Sequence, residues 1–131
     1  MPFQMPEVPS GAKQVDVDGK FKDASKQQVE SFMGQLVERS PGLTKLEARS
    51  NNLGKDDKLP GFVVYLPKFK TLAALYLNQN NIGPEGCKHL APVLPLLVKL
   101  TSLGLGSNDI GPEGCKHLAP VLAECKALTK L

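Results

Sequence analysis

Two Cys-x-His pairs contain the residues of this 131-residue chain whose types could bind a metal ion or perform catalysis. They are Cys87 with His89 and Cys115 with His117, and the second pair follows the first by 28 residues. Zinc needs four ligands, or three ligands and a water molecule. Residues two apart on a helix point to different sides. Each pair therefore favours a buried cysteine and a solvated histidine, and we predict no metal site and no catalytic residue.

The third cysteine, Cys125, makes the cysteine count odd, which is not typical of a secreted disulfide framework. A Cys87–Cys115 disulfide is disfavoured because neighbouring helices pack about 8–10 Å apart. Cys125 is predicted to be packed, or to be a reactive thiol if it is exposed. Neither a signal peptide nor a run of about 18 apolar residues is present. The sequence therefore predicts a cytoplasmic location and no membrane span.

Arg49 is the one residue that suggests a regulatory activity, because a GTPase-activating protein can supply an arginine to its partner. The segment around it, "EARSNN", reproduces no motif of that kind. The net charge of +3 is small, and the chain has two arginines, so nucleic-acid binding is not predicted. The glycine spacing in "LGLGSN" does not match a dinucleotide-binding loop. We therefore predict no cofactor and no enzyme activity.

A repeated leucine pattern must position the cysteines, the histidines and Arg49 in the fold. The template Leu-x-x-Leu-x-Leu-x-x-Asn-x-Ile/Leu-Gly starts at Leu43, at Leu72 and at Leu100, and residues 82–94 are identical to residues 110–122. A fixed period of this length is typical of stacked repeat architectures. The alternating leucines predict a short strand with one buried face, and stacking supplies its parallel neighbours. Asn51, Asn80 and Asn108 follow the strands, where an inward amide can bond to neighbouring turns; a surface turn is the alternative.

The return limb of each repeat predicts a helix. In "GPEGCKHLAPVL" proline suits the first helical turn, and Cys87, Leu90, Ala91 and Leu94 share one apolar face. Pro92 and Pro120 predict a kink or a change of helix character. Crossovers between parallel strands are usually right-handed. The predicted fold is therefore α/β: a right-handed strand–helix solenoid with parallel strands on its concave face.

The expected domain organisation has three parts. Residues 1–12 contain Pro2, Pro6 and Pro9 and predict a flexible or partner-bound tail. Residues 13–41 predict a capping repeat, with Ser25 as a helix N-cap. Residues 42–131 predict the repeats themselves, divided as 42–70, 71–98, 99–126 and the start of another at 127–131.

The repeats from Leu72 to Lys126 resemble the ribonuclease-inhibitor-like class of leucine-rich repeats, which also occurs in NOD-like receptors and Ran GTPase-activating proteins. The resemblance implies a horseshoe segment and a non-enzymatic protein–protein interaction module. It also leaves two alternatives, a GTPase-activating regulator and the repeat part of a NOD-like sensor. A scaffold or structural subunit of a larger assembly is the function that we expect.

The outward strand positions are the candidate protein-binding residues of the concave face. They form ladders in which Asp16 neighbours Glu47, Asp18 opposes Arg49, and Tyr76 lies next to Gly104. Tyrosine and arginine are frequent anchors of protein interfaces. The candidates are Asp16, Asp18, Lys45, Glu47, Arg49, Tyr76, Asn78 and Ser102.

The sequence from Leu128 to Leu131 predicts an open strand edge, which is a pairing hazard. Three interpretations stay open for this edge. The chain is a fragment of a longer repeat protein, the edge docks against a protein in a multi-subunit complex, or two copies associate end to end.

Overall fold

The structure is a computed structural model that describes residues 3–131, and it contains four parallel strands that alternate with four helices. The strands are β1 (Gln14–Asp16), β2 (Lys45–Glu47), β3 (Ala74–Tyr76) and β4 (Ser102–Gly104). The helices are α1 (Lys26–Arg39), α2 (Lys58–Val63), α3 (Gly83–Leu90) and α4 (Gly111–Leu122), with 3-10 turns at Leu66–Lys68 and Leu94–Leu96. The predicted strand–helix solenoid is confirmed.

The strands pair in sequence order, and their register follows the leucine template. Val15 pairs with Leu46, Leu46 with Leu75, and Leu75 with Leu103. These central residues are all buried, whereas the residues on either side of them are exposed or half-buried. A three-residue strand is too short to be stable alone. The stacking of equivalent leucines therefore supplies the apolar core that each rung needs, a rung being one strand with its turn and return helix.

The three template asparagines form a buried ladder behind the strands, as predicted. Asn51 and Asn80 are 0% exposed and Asn108 is 2% exposed. The Asn80 side-chain oxygen accepts from the backbone N–H of Asn51 at 2.8 Å, and the Asn108 oxygen accepts from that of Asn80 at 2.7 Å. Each amide therefore ties one turn to its neighbour, which a surface asparagine would not do.

The residues that flank each ladder asparagine adopt the left-handed conformation. Asn51 lies between Ser50 at φ 58° and Asn52 at φ 52°, and the two later turns repeat this pattern. The left-handed region is uncommon for residues with a Cβ, and asparagine and aspartate tolerate it better than most. The sharp turn brings the asparagine inward. The equivalent pairs are Gln79 with Asn81 and Ser107 with Asp109.

The two identical sequence copies fold differently at their prolines. The helix α3 ends at Leu90, before Pro92, and a turn and a 3-10 turn follow it. The helix α4 instead continues through Pro120 to Leu122. The predicted change of helix character is therefore observed at Pro92, whereas α4 accommodates its proline within the last turn. None of the helices in residues 3–131 combines the length and apolar character needed to cross a membrane.

The first helix covers the N-terminal end of the core. The Ser25 side chain accepts from the backbone N–H of Gln28, and the Gln28 side chain accepts from that of Ser25, which completes a capping box. Val29, Phe32, Met33 and Leu36 face the core, and the Phe32 ring contacts the Phe21 ring edge-on at 5.0 Å. This end of the solenoid is thus closed by apolar packing.

The segment preceding β1, for which the sequence predicts a flexible or partner-bound tail, packs against the same end over residues 3–12. Phe3, Met5 and Val8 are half-buried against the core. The Ser40 hydroxyl donates to the Pro9 carbonyl at 2.8 Å. Residues 1–2 of the predicted tail lie outside the described residues. Partner binding by this segment stays a prediction.

Lys58 is the one lysine among residues 3–131 whose side chain the fold buries, and it is 1% exposed. Its Nζ donates to the carbonyl oxygens of Lys22 at 3.2 Å, Phe21 at 3.3 Å and Asn51 at 3.4 Å. Burial lowers the pKa of Lys58 from its ordinary value of 10.5, and the nearby carboxylates of Asp56 and Asp23 partly offset the change. This amine joins the first turn to the second rung.

Lys58 should give the protein a stability that rises with pH in the alkaline range. Because its pKa in the folded chain lies below 10.5, the unfolded chain binds more protons between the two values. The free energy of unfolding of the parent, relative to Lys58→Met, should therefore increase as the pH rises towards 10.5. Urea titrations at several alkaline pH values measure this difference. Exposed Lys99→Met is the control, and parallel pH profiles for the parent and Lys58→Met would contradict the assignment.

Candidate protein-binding face

The predicted binding residues lie together on the outward face of the sheet, in two ladders. One ladder runs through Lys45, Ala74 and Ser102, and an isolated bridge continues it to Lys130. The other runs through Asp16, Glu47, Tyr76 and Gly104. Asp18, Arg49 and Asn78 follow two residues after the second ladder. The backbone register therefore places all eight predicted residues on one surface, which we call the concave face.

Arg49 is the centre of the charged half of this face. Its Nη1 donates to Asp18 Oδ2 at 3.0 Å and to Glu47 Oε1 at 3.2 Å. The backbone N–H of Arg49 also donates to Asp18 Oδ1 at 2.7 Å. The Asp18–Arg49 opposite pair thus forms as predicted. Asp16 and Glu47, the predicted like-charge pair, are adjacent in register. The cations of Arg49 and Lys45 compensate the Glu47 carboxylate, and Lys45 Nζ lies 3.8 Å from Glu47 Oε1.

The Tyr76 ring lies next to both cations. The guanidinium carbon of Arg49 lies 4.5 Å from the ring centroid, and Lys45 Nζ lies 5.7 Å from it. Cations at such distances are attracted by the electrons of the aromatic ring. Because Asp18 and Glu47 fix the guanidinium, the ring stacked on it is held in one orientation. A preordered aromatic side chain loses little conformational entropy when a partner binds.

Two glycines on the other side of Tyr76 keep the surface open. A Cβ at Gly104 would lie 2.9 Å from Tyr76 Cδ1 and would overlap the Asn78 side-chain oxygen. A Cβ at Gly106 would lie 3.1 Å from Asn78 Nδ2. The Asn78 side chain therefore lies over the glycine backbone, where its oxygen is buried without a hydrogen-bond partner. The lack of side chains at 104 and 106 creates a flat shelf beside Tyr76.

The shelf forms a groove of about 370 Å³ beside the last strands. Arg49, Tyr76 and Asn78 line one side of it, and the backbone of residues 102–106 forms its floor. Lys130 and Leu131 line the remaining edge. The sequence pattern does not identify Lys130 or Leu105 as lining residues, and it predicts Leu131 only as part of the open strand edge. Their only signal is their position at the last rung, where a core leucine has fewer neighbours.

The Arg49 guanidinium is engaged within its own chain. An arginine that assists GTP hydrolysis must reach the phosphates of a bound nucleotide. Arg49 is instead fixed by two carboxylates and by the face of Tyr76. Its position supports a role in ordering the concave face.

The Cys-x-His pairs form no shared site. Cys87 is buried, Cys115 is exposed and all three cysteines are free. The inward position expected for Cys115 is therefore wrong, because within residues 3–131 no further rung covers α4 as α4 covers α3. Burial raises the pKa of the Cys87 and Cys125 thiols, which lowers their thiolate content and reactivity. In the described part of the chain, no group of three or more His, Cys, Asp or Glu side chains could hold a metal ion.

Comparison with known proteins agrees with this architecture. A family model described as leucine-rich repeat matches residues 70–91 and 97–119. A solved structure of leiomodin-1, described as its actin-binding site 2, aligns over 91% of this chain and 68% of its own, with a TM-score of 0.68 and 20% identity. No curated protein sequence gives a significant match.

A leucine-rich repeat protein of Legionella pneumophila, LegL7, aligns over 93% of this chain and 56% of its own, with a TM-score of 0.38 and 16% identity. The matched family model falls on the two rungs that contain the identical copies, and the leiomodin-1 structure shows the same fold. The parallel register and the asparagine ladder account for the positions that the repeat template fixes. Residues 70–91 and 97–119 are therefore leucine-rich repeats, and the chain has the leucine-rich repeat fold.

Proposed function

We propose that this chain is a non-enzymatic protein–protein interaction module that binds its partner on the concave face, around Tyr76. The observation that carries the proposal is the state of the Tyr76 ring, which Arg49 fixes on one side while Gly104 leaves the other side uncovered. Rigid aromatic and arginine side chains are enriched among the residues that dominate binding energy at protein interfaces. A scaffold or structural subunit in the cytoplasm is the role we assign to such a module.

The groove beside Tyr76 suits an extended or loop segment of a protein. It offers an aromatic ring, a glycine floor and the Lys130 ammonium group within about 370 Å³. An apolar side chain of the partner can pack against the ring and the floor, and an acidic group can approach Lys130. Leiomodin-1 is described as binding actin. Its TM-score of 0.68 to this chain supports a common fold alone, and actin enters the test below only as one probe.

Tyr76→Ala should weaken partner binding at least about 10-fold, because it removes the anchor of the face. Its stability should change by about 1 kcal/mol or less, since Tyr76 is half-buried and its backbone pairing persists. Affinity capture from the native source, with quantification by mass spectrometry, identifies proteins that the parent retains. Binding of the purified partner, and of actin, is then titrated against the parent and the variant.

Tyr65→Ala is the matched control, because Tyr65 is the other of the two tyrosines and packs near Gly34 of α1, on the helical side. It should leave binding unchanged. If the partner no longer bound Tyr65→Ala but still bound Tyr76→Ala, the interface would lie on the helices and the proposal would be overturned.

The GTPase-activating alternative makes the opposite prediction for Arg49. It requires that the parent accelerate GTP hydrolysis by a partner GTPase and that Arg49→Ala abolish the acceleration. We expect no acceleration of GTP hydrolysis by the parent. Arg49→Ala should instead weaken binding of the same partner as Tyr76→Ala does, because the tyrosine ring loses its support.

A further inference from the structure

The chain makes the same tight turn before β2, before β3, before β4 and before the bridge at Lys130, and these four turns form one lateral edge of the solenoid. In each turn the backbone N–H of the first template leucine donates to the carbonyl oxygen of the residue three positions earlier, at 3.0–3.2 Å. That earlier residue is buried or half-buried, whereas the residues on either side of it are exposed in all four turns. We call the exposed residues of 39–42, 68–71, 96–99 and 124–127 the turn face.

Two large apolar side chains project from the third turn of this face. Leu96 is 58% exposed and Val98 is 71% exposed. By strand register, the positions equivalent to Leu96 hold charged residues in the other three turns, namely Arg39, Lys68 and Glu124. The second and fourth turns lie on either side of Leu96 and Val98, and Val98 lines a cavity of about 140 Å³ together with Lys126 of the fourth. The exposure of Leu96 and Val98 therefore comes from the phase of the repeat, which turns these positions to solvent in every rung.

Basic side chains surround the two apolar ones. The turn face contains five basic residues and one acidic residue, whereas the whole chain has a net charge of only +3, so the positive charge of the chain is concentrated here. None of the four lysines of this face forms an ion pair with another residue of 3–131, so their charge is available to a partner. The basic residues are Arg39, Lys68, Lys70, Lys99 and Lys126, and the acidic residue is Glu124.

The combination of exposed aliphatic side chains and unpaired lysines decides which negatively charged partner fits. Lysine is depleted at protein interfaces, where arginine and aromatic residues are enriched, and the turn face exposes no aromatic side chain. The phosphates of a nucleic acid would bind the lysines but would leave Leu96 and Val98 in contact with water. A membrane surface with anionic lipid suits both features, because its headgroups attract lysines and its interface accepts aliphatic side chains.

We propose that the turn face binds the surface of a membrane that contains anionic phospholipid. Leu96 and Val98 insert among the headgroups, and the lysines of the second and fourth turns lie against the headgroup phosphates on either side. The binding is reversible, since only two aliphatic side chains enter the interface. The groove at Tyr76 lies on the concave face, which is a different surface, so membrane binding and protein binding are independent of each other.

Co-sedimentation of the full chain with lipid vesicles tests the electrostatic part of the proposal. The parent should bind vesicles of phosphatidylcholine with about one third phosphatidylserine, and should bind phosphatidylcholine alone at least about 10-fold more weakly. The double variant Lys70→Ala/Lys126→Ala should bind the mixed vesicles about 25-fold more weakly, because each lysine near an anionic surface contributes about fivefold. The control is Lys88→Ala/Lys116→Ala, which removes the same charge from exposed positions of α3 and α4 and should weaken binding less than about threefold.

The double variant Leu96→Ser/Val98→Ser tests the insertion of the apolar side chains. It should weaken binding to the mixed vesicles about 10-fold. Its free energy of unfolding should change little, because both side chains are exposed, and circular dichroism checks that each variant folds. Tyr76→Ala should bind the vesicles as the parent does, which separates this inference from the proposed protein partner.

A parent chain that does not bind the mixed vesicles, or that binds both kinds of vesicle equally, would overturn the proposal. So would a Lys70→Ala/Lys126→Ala variant that binds like its control, or a Leu96→Ser/Val98→Ser variant that binds like the parent. Retention of the parent on immobilised duplex DNA or polyglutamate, without binding to vesicles, would assign the turn face to a nucleic acid or an acidic protein and would equally contradict membrane binding.

Discussion

Asn80→Ala should lower the free energy of unfolding by about 3–5 kcal/mol, because it leaves several buried backbone groups without partners. The Asn80 oxygen accepts from the backbone N–H of Asn51, and its Nδ2 donates to the carbonyl oxygens of Ala48 at 2.8 Å and Leu77 at 2.9 Å. Each orphaned buried group costs about 1–3 kcal/mol. Because the Asn80 side chain connects the second turn to the third, no neighbouring residue can replace it.

Urea titration followed by circular dichroism measures this loss, and the solvent-exposed amide Gln27→Ala is the control. The control should change the free energy of unfolding by about 0.5 kcal/mol or less. If Asn80→Ala behaved like Gln27→Ala, the asparagine ladder would not be holding the rungs together.

Gly54→Ala should lower the free energy of unfolding by a similar amount, for a steric reason. A Cβ at Gly54 would overlap the Asn81 carbonyl oxygen and lie 3.1 Å from the Asn80 carbonyl oxygen. The Gly54 N–H also donates to Asn80 O at 2.8 Å. The two turns must separate to accept the methyl group, which strains or breaks this bond. We expect a loss of about 3–5 kcal/mol in the free energy of unfolding.

The equivalent residue of the next repeat provides the control for Gly54. Gly83 has φ 60°, and a Cβ added to it would have no neighbouring atom within 4 Å. Gly83→Ala should therefore cost only the backbone penalty of the left-handed region, about 1–2 kcal/mol. Thermal and urea unfolding of both variants separates the two causes. Equal losses at 54 and 83 would mean that the turns are not packed as tightly as the structure has them.

The repeated residues predict those parts of the fold in which each rung makes the same contacts with its neighbours. Leu46, Leu75 and Leu103 share a register because the spacing of the template is constant, and stacking equal units pairs equal positions. The buried asparagines follow for the same reason, since three equal turns offer three equal sets of backbone groups. The concave-face ladders are a consequence of the strand register alone.

Features that depend on non-repeated contacts are missing from the sequence pattern. Lys58 has the sequence context of an ordinary charged residue, and its burial depends on carbonyl oxygens of Phe21 and Lys22 that lie far away in sequence. Threonine hydroxyls at strand entrances also donate across rungs, as from Thr101 to Ala73 O at 3.1 Å. Residues 3–12 have no periodicity, yet they cover one end of the core.

The candidate binding face likewise combines features that the repeat pattern predicts with features that it does not. The ladder positions of Asp18, Arg49 and Tyr76 follow from register, whereas the orientation of their side chains does not. The stacking of the guanidinium on the tyrosine ring depends on rotamers selected by Glu47 and Asp18 together. The different burial of Cys87 and Cys115 depends on which rung has a neighbour, which the identical local sequences cannot encode.

Amide hydrogen exchange of the full chain, with and without its bound protein partner, tests the central claim most directly. We expect slower exchange in residues 74–78 and 102–106, where Tyr76 and the glycine shelf lie, and unchanged exchange on the outer surfaces of α1 to α3. Protection confined to the helices or to residues 3–12, with residues 74–78 and 102–106 unaffected, would contradict it.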